Sequence, residues 1–163
     1  MSGKATAVVS LLTDTQIQVT REFDAPRHLV YRAWTTPELI RRWWTANRGE
    51  ATVIEVDLRV GGRWRYVMTA NGGFEVAFHG EYRELVPDER IVSTEIYEEM
   101  PEAEAITTIT FAEQDGRTTV TLLVDHDSPR ARDFHLQSGM ESGLQDALDL
   151  LERVAQSLAG QPA

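Results

Sequence analysis

Few residues in this chain stand at spacings that could do chemistry. His79 and Glu81, in His79-Gly80-Glu81, lie two apart on one face of an expected strand, where a base and its orienting carboxylate, or two metal ligands, could sit. The same spacing begins a zinc-hydroxide signature, but the paired cysteines that complete it are absent. Alternation sets both residues opposite Phe78 and Tyr82, on the face expected to meet solvent, so they read as a surface pair beside Arg83. Asp125-His126-Asp127 places an imidazole between two carboxylates. It could hold a cation, but reads first as a strand end whose negative charge favours the N-terminus of the following helix. His28 and His135 have no partner visible by spacing. Glu95 and the hydroxyls of Tyr66 and Tyr82 would supply an acid or base if they faced an interior. Gly61-Gly62 and Gly72-Gly73 fall between strands, so they read as turns, not phosphate loops. No serine sits in a nucleophile-elbow pattern. The sequence therefore assigns no catalytic residue, no metal site and no cofactor.

The elements that must position these groups are legible in the patterning. Residues 15–23 alternate Ile17, Val19 and Arg21 against Gln16, Gln18, Thr20 and Glu22, which is strand periodicity. Asp24 and Pro26 then open a helix carrying Leu29, Val30, Ala33 and Trp34. Thr36 and Pro37 restart a second short helix, with Leu39, Ile40 and Trp43 as its apolar side. Trp43 is expected to pack against a sheet. Trp44 lies off that stripe and leads into a polar loop, the place for an indole at a cavity rim. From residue 50 onward the texture is Val, Ile, Thr, Tyr and Phe between turn signals. It fits six strands near 50–58, 63–70, 74–86, 89–98, 104–113 and 117–125, and the short connections require antiparallel pairing. Ser128 and Pro129 then start one long amphipathic helix, with Met140, Leu144, Leu148, Leu151, Val154 and Leu158 on one stripe.

The 163 residues suit one domain, expected over residues 15–160 and preceded by an arm or extra edge segment over 1–14. A formal net charge of −10 argues against nucleic-acid binding and against a polybasic membrane surface. No run of apolar residues approaches a membrane span, so no membrane insertion is expected. The absence of cysteine fits a cytoplasmic protein. Residues 5–12, ATAVVSLL, are the segment through which a homodimer would form if they add a strand or cover an edge.

One strand, two short helices, six strands and a long helix give an α+β chain in which only the last helix is large enough to cover a curved sheet. Four blocks carry a closer resemblance: VTREFDAPRHLVYRAWTTPELIRRWW (19–44), DLRVGGRWRYVM (57–68), FHGEYRELVPDERIVSTE (78–95) and SGMESGLQDALDLLERVA (138–155). In that order they resemble the helix-grip fold of the START and pollen-allergen (SRPBCC) superfamily. The branch they are most similar to is the one named after the activator of heat-shock protein 90 ATPase. The likeness spans roughly residues 15–158; Thr45 stands where that branch commonly carries Gly after the tandem Trp. It implies a curved antiparallel sheet wrapped around the C-terminal helix. Members of the superfamily include carriers of hydrophobic ligands, polyketide cyclases and co-chaperone domains.

Helix-grip domains often keep a cavity between sheet and helix, and period-two alternation nominates its lining. Trp64, Tyr66 and Met68 share one strand face, and Phe78 and Tyr82 share another. Ile96 and Phe111 are expected to point in from later strands, Met140 and Leu144 to face them from the helix, and Trp44 to stand at the rim. The expected function is binding of a hydrophobic small molecule, such as a lipid, isoprenoid or aromatic polyketide. A cyclase- or hydrolase-type enzyme using the same cavity, and a chaperone-regulating interaction domain, are the alternatives.

Overall fold

The computed structural model describes residues 6–159. Eight strands form one antiparallel sheet: β1 (Val8–Ser10), β2 (Gln16–Phe23), β3 (Gly49–Val56), β4 (Arg63–Ala70), β5 (Glu75–Val86), β6 (Arg90–Tyr97), β7 (Glu104–Gln114) and β8 (Arg117–Asp125). Their spatial order is β1-β2-β8-β7-β6-β5-β4-β3. Strands β3 to β8 are thus a meander, and β2 closes back beside β8. The expected strand boundaries hold to within two residues, because the turn residues that set them impose backbone geometry. Asp88, Asp115 and Gly116 all have positive φ at the hairpin tips. Of the two forms expected for residues 1–14, residues 8–10 adopt the edge strand, on the free side of β2. Residues 1–5, and with them the start of the 5–12 segment, lie outside the described residues.

Between β2 and β3 come α1 (Arg27–Thr35) and α2 (Pro37–Ile40). Neither Asp24 nor Thr36 makes the capping bond expected of it: the residue flanking α1 is Pro26, and Thr36 offers no side-chain bond. The expected single C-terminal helix is two, α3 (Pro129–Gln137) and α4 (Met140–Leu158). Ser128 does cap α3, accepting from the Ala131 N–H at 3.1 Å. The break falls at Gly139, whose φ of 83° is left-handed and cannot continue a right-handed helix.

The core lies between the concave sheet face and α4. Along β2 that face presents Ile17, Val19, Arg21 and Phe23, all buried. Helix α4 buries Leu148, Leu151, Val154, Ala155 and Leu158 from its C-terminal half, next to Leu29, Val30 and Ala33 of α1. An arginine among these residues is unexpected on burial grounds alone. Arg21 is 2% exposed. Its guanidinium stacks 4.5 Å from the Phe23 ring centroid and reaches Asp149 (2.8 Å) and Glu152 (3.4 Å) on α4. A buried charge persists only when paired in this way, so Arg21 fixes the C-terminal half of α4 on the sheet.

The N-terminal half of α4 is held more loosely. Met140 and Leu144 are only half-buried. Arg48, in the loop between α2 and β3, ties this half in place from outside, through Asp146 (3.0 Å) and the Ser142 hydroxyl (3.1 Å). Helix and sheet are therefore closed at the α1 end, while the N-terminal half of α4 keeps accessible surface.

Candidate functional site

Aromatic rings gather on the inward face of β4, β5 and β6. Trp44 is half-buried, and its ring meets Tyr66 edge-on at 5.3 Å and Phe78 at 6.1 Å. Tyr66 in turn leans on Trp64 at 4.8 Å, and Phe78 on Tyr97 at 5.2 Å. These separations and tilts suit the aromatic quadrupole. Trp43 differs, as its place on the helical stripe requires. It is buried, donates its indole N–H to the Ala33 carbonyl at 2.9 Å, and packs edge-on against Trp34. Of two adjacent tryptophans, one holds α1 to the segment after α2 and the other meets Tyr66 and Phe78 on the sheet.

Strand register sets the inward residues of β4 to β7 in rows. Tyr66, Phe78 and Tyr97 pair across β4, β5 and β6. In the next row Trp64 pairs with Gly80. Because β5 and β6 pair His79 with Ile96 and Tyr82 with Ser93, Gly80 stands opposite Glu95, which pairs with Ala105 of β7. The third row is Tyr82, Ser93 and Thr107. In the middle of these rows Gly80 is covered closely. A Cβ there would come within 2.6 Å of Trp64 Nε1 and 1.8 Å of the Thr94 carbonyl oxygen, so the indole nitrogen lies over the glycine where no side chain fits.

The polar groups of these rows are unusual. Glu95 points inward, and its Oε2 accepts a hydrogen bond from the Thr107 hydroxyl at 3.1 Å. Burial raises its pKa, with the Thr107 bond opposing. Burial also holds the Tyr66 hydroxyl well above its ordinary value, reinforced by Tyr82 and Glu95, and pushes Tyr82 up with help from Tyr31. Glu95 and Tyr66 are half-buried. Trp64 is 8% exposed, and its Nε1–H has no hydrogen-bond partner. A buried N–H without a partner is rare in folded proteins.

The structure brings Trp44, Trp64, Tyr66 and Phe78 together, with Met140 and Leu144 as half-buried members of the same apolar cluster. Met68 continues the β4 face toward the β3 edge, opposite Ala51 and Val76. Tyr82 and Phe111 belong to the closed end: both are buried, and Phe111 packs edge-on against Tyr31 and Trp34. Ile96 is a correction. It pairs with His79 and Glu104 on the convex face, and the residues that point inward from β6 are Ile91, Ser93, Glu95 and Tyr97. A one-residue change of phase exchanges the two faces of a strand. Here the phase that carries Val92 and Ile96 is not the inward one. Two open hollows, of about 610 Å³ along the β3 edge and about 400 Å³ beside the start of α3, are lined by none of the expected residues.

Away from these rows, His79 lies on the convex face as expected and meets Glu98 at 2.9 Å, where Arg65 also makes a two-pronged bond. That bond, aided by His79, holds Glu98 down to about 2. Glu81 pairs with Arg83 at 3.4 Å. His126 and His135, nine residues apart, share a hydrogen bond of 3.0 Å across the turn between β8 and α3. Among the described residues no third His or carboxylate gathers with them into a set that could hold a metal.

A family model described as Activator of Hsp90 ATPase homolog 1-like protein matches residues 24–156. None of the curated proteins matches the chain. Among solved structures, a protein from Rhodobacter sphaeroides is 25% identical with a TM-score of 0.86, covering 93% of this chain and 99% of its own. One from Chromobacterium violaceum is 30% identical, TM-score 0.75, covering 88% and 99%. The AHSA1-like protein from Aeromonas hydrophila is 26% identical, TM-score 0.67, covering 90% and 98%. Among the described residues no helix is long and apolar enough to cross a membrane.

Proposed function

Since the chain belongs to the Activator of Hsp90 ATPase homolog 1-like family, with its helix-grip fold, we propose that it binds a hydrophobic small molecule in the cleft between β4–β6 and the N-terminal half of α4. The observation that carries this reading is the half-burial of Trp44, Tyr66, Phe78, Met140 and Leu144, side by side with a closed core. Large apolar side chains that pack on a core and still keep accessible surface together gain from an apolar occupant that removes it from water. The aromatic walls suit a planar or polyprenyl skeleton.

Glu95 supports a second reading, a cyclase- or hydrolase-type reaction with this carboxyl as general acid. Binding takes precedence because the polar groups nearest it, Thr107, Tyr66 and Tyr82, include no base or activated nucleophile. A chaperone-regulating surface would need an exposed apolar patch at Trp44, whereas that ring lies against Tyr66 and Phe78.

Native mass spectrometry of the protein purified without denaturant, with organic extraction of what it carries, tests the reading. An apolar small molecule should be recovered from the wild type and be lost in Leu144→Glu. A clean unliganded mass, together with no thermal shift across a lipid, isoprenoid and polyketide panel, overturns it.

A further inference from the structure

We infer that the free edge of β3 is a docking site for an extended segment of a partner protein, which adds to the sheet as a further strand with apolar side chains on one face and Lys or Arg on the other. Strand β3 ends the sheet and pairs only with β4. The Asp57 N–H donates to the Arg63 carbonyl at 2.9 Å. Counting back by twos along the antiparallel register, Glu55 also bonds to β4, so Ile54 and Val56 direct their N–H and C=O outward. Nearer the start of the strand the edge is capped, since Arg41 donates to the Ala51 carbonyl at 2.7 Å. The stretch from Ile54 to Asp57 instead borders the hollow of about 610 Å³, whose further walls include Pro37, Arg59 and Gly61. The adjoining turn leaves Leu58 and Val60 exposed, at 43% and 61%. Outward backbone groups, room beside them and exposed apolar side chains suit a strand added from outside.

Side-chain alternation sets the chemistry of that segment. Ile54 and Val56 pair with Tyr66 and Trp64 on the inward face, so residues added beside them are apolar. Glu50 and Glu55 are the charged residues of β3, and both are exposed. Among the described residues neither makes an ion pair, and Arg65, opposite Glu55, is held by Glu98. Of the arginines at the hollow, Arg59 is paired with Asp57 at 2.9 Å and Arg63 lies opposite Glu81. A basic residue beside Glu55 is therefore favoured, and an acidic one repelled. A second copy of the chain fits poorly. Antiparallel self-pairing centred on Glu55 or Val56 sets Glu55 opposite Glu55 or Asp57, and centred on Ile54 it reaches Ala51, where Arg41 already sits.

The experiment titrates three capped eight-residue peptides into the full chain at low salt. One alternates Lys with Val and one alternates Glu with Val. The third alternates Lys with Pro, which keeps the charge and removes the N–H groups that would face β3. The Lys–Val peptide should bind about tenfold more tightly than the Glu–Val peptide, and the Lys–Pro peptide should not bind. Glu55→Lys, at an exposed position, should weaken Lys–Val binding about fivefold. In the wild type, hydrogen exchange gives a readout that needs no variant: the Lys–Val peptide should protect the amides of Ile54 and Val56 and leave that of Glu55 unchanged. Binding of no peptide, equal binding of all three, or protection confined to other amides overturns the proposal. Protection of Ile54 and Val56 that grows with protein concentration alone also overturns it, since the edge would then pair with a second copy.

Discussion

Lowering the pH from 7.5 to 5 should destabilise the protein through the His126–His135 pair. The two rings share one hydrogen bond, which needs one nitrogen donating and the other accepting; two imidazolium rings cannot make it. Burial, with His126 adding, holds His135 down to about 4, and burial lowers His126 too against the pull of Asp127 and Asp125. A histidine that binds its proton less readily when folded contributes stability that is fully present above its unfolded pKa. That stability is lost as the pH falls from there toward the folded value. With an unfolded value near 6.5 and the printed value of about 4, His135 alone loses about 2 kcal/mol between pH 7.5 and pH 5. For a domain of this size that is roughly 4–8 °C in Tm. Stopping at pH 5 keeps Glu98 out of the measurement, since a carboxyl held down to about 2 releases its stability only below the ordinary carboxylate range. The assay is urea unfolding at both pH values for the wild type and His135→Gln. The variant should be less stable at pH 7.5 and lose much less on acidification. Equal losses in the two proteins would refute the reasoning.

Further outcomes follow from the packing. Arg21→Met should cost about 3–5 kcal/mol in urea unfolding, because it removes the buried cation that joins β2 to α4. Arg117→Met, at the exposed pair with Glu22, should cost little. Trp43→Ala should lower stability by about 3–5 kcal/mol, whereas Trp44→Ala should lower it less and weaken 2-ethylnaphthalene binding about tenfold; calorimetry and titration separate the two. Gly139→Ala should cost about 1 kcal/mol from its left-handed backbone alone, since nothing lies within 4 Å of the added Cβ. Gly80→Ala should cost more, because its Cβ would run into the Thr94 carbonyl; thermal melts rank the two.

The strands of the meander were legible because turn residues and alternation are local signals, whereas the pairing of β2 with β8 joins strands from the two ends of the chain and is not one. Helical spacing also separates the buried Trp43 from the half-buried Trp44. What escaped was set by pairing across strands. In β6 both phases are half apolar, and only the register past the bulge between Tyr82 and Glu84 makes Ile91, Ser93, Glu95 and Tyr97 the inward set. Glu95 was nameable as a candidate, but its row with Gly80 and Trp64 needs three strands in register. The His126–His135 contact needs the chain to turn at Ser128 and run back along α3. Gly139 sits inside an unbroken amphipathic stripe, and a lone glycine there does not announce whether it is tolerated or breaks the helix.

The four tryptophans supply the most direct test of the apolar cleft. Trp44 and Trp64, both against Tyr66, belong to the proposed site, while Trp34 and Trp43 pack against each other at the closed end. In a ¹H–¹⁵N spectrum of the labelled protein, titration with 2-ethylnaphthalene should move the indole signals of Trp44 and Trp64 and leave those of Trp34 and Trp43 in place. No movement of any indole, or movement confined to Trp34 and Trp43, would contradict the account.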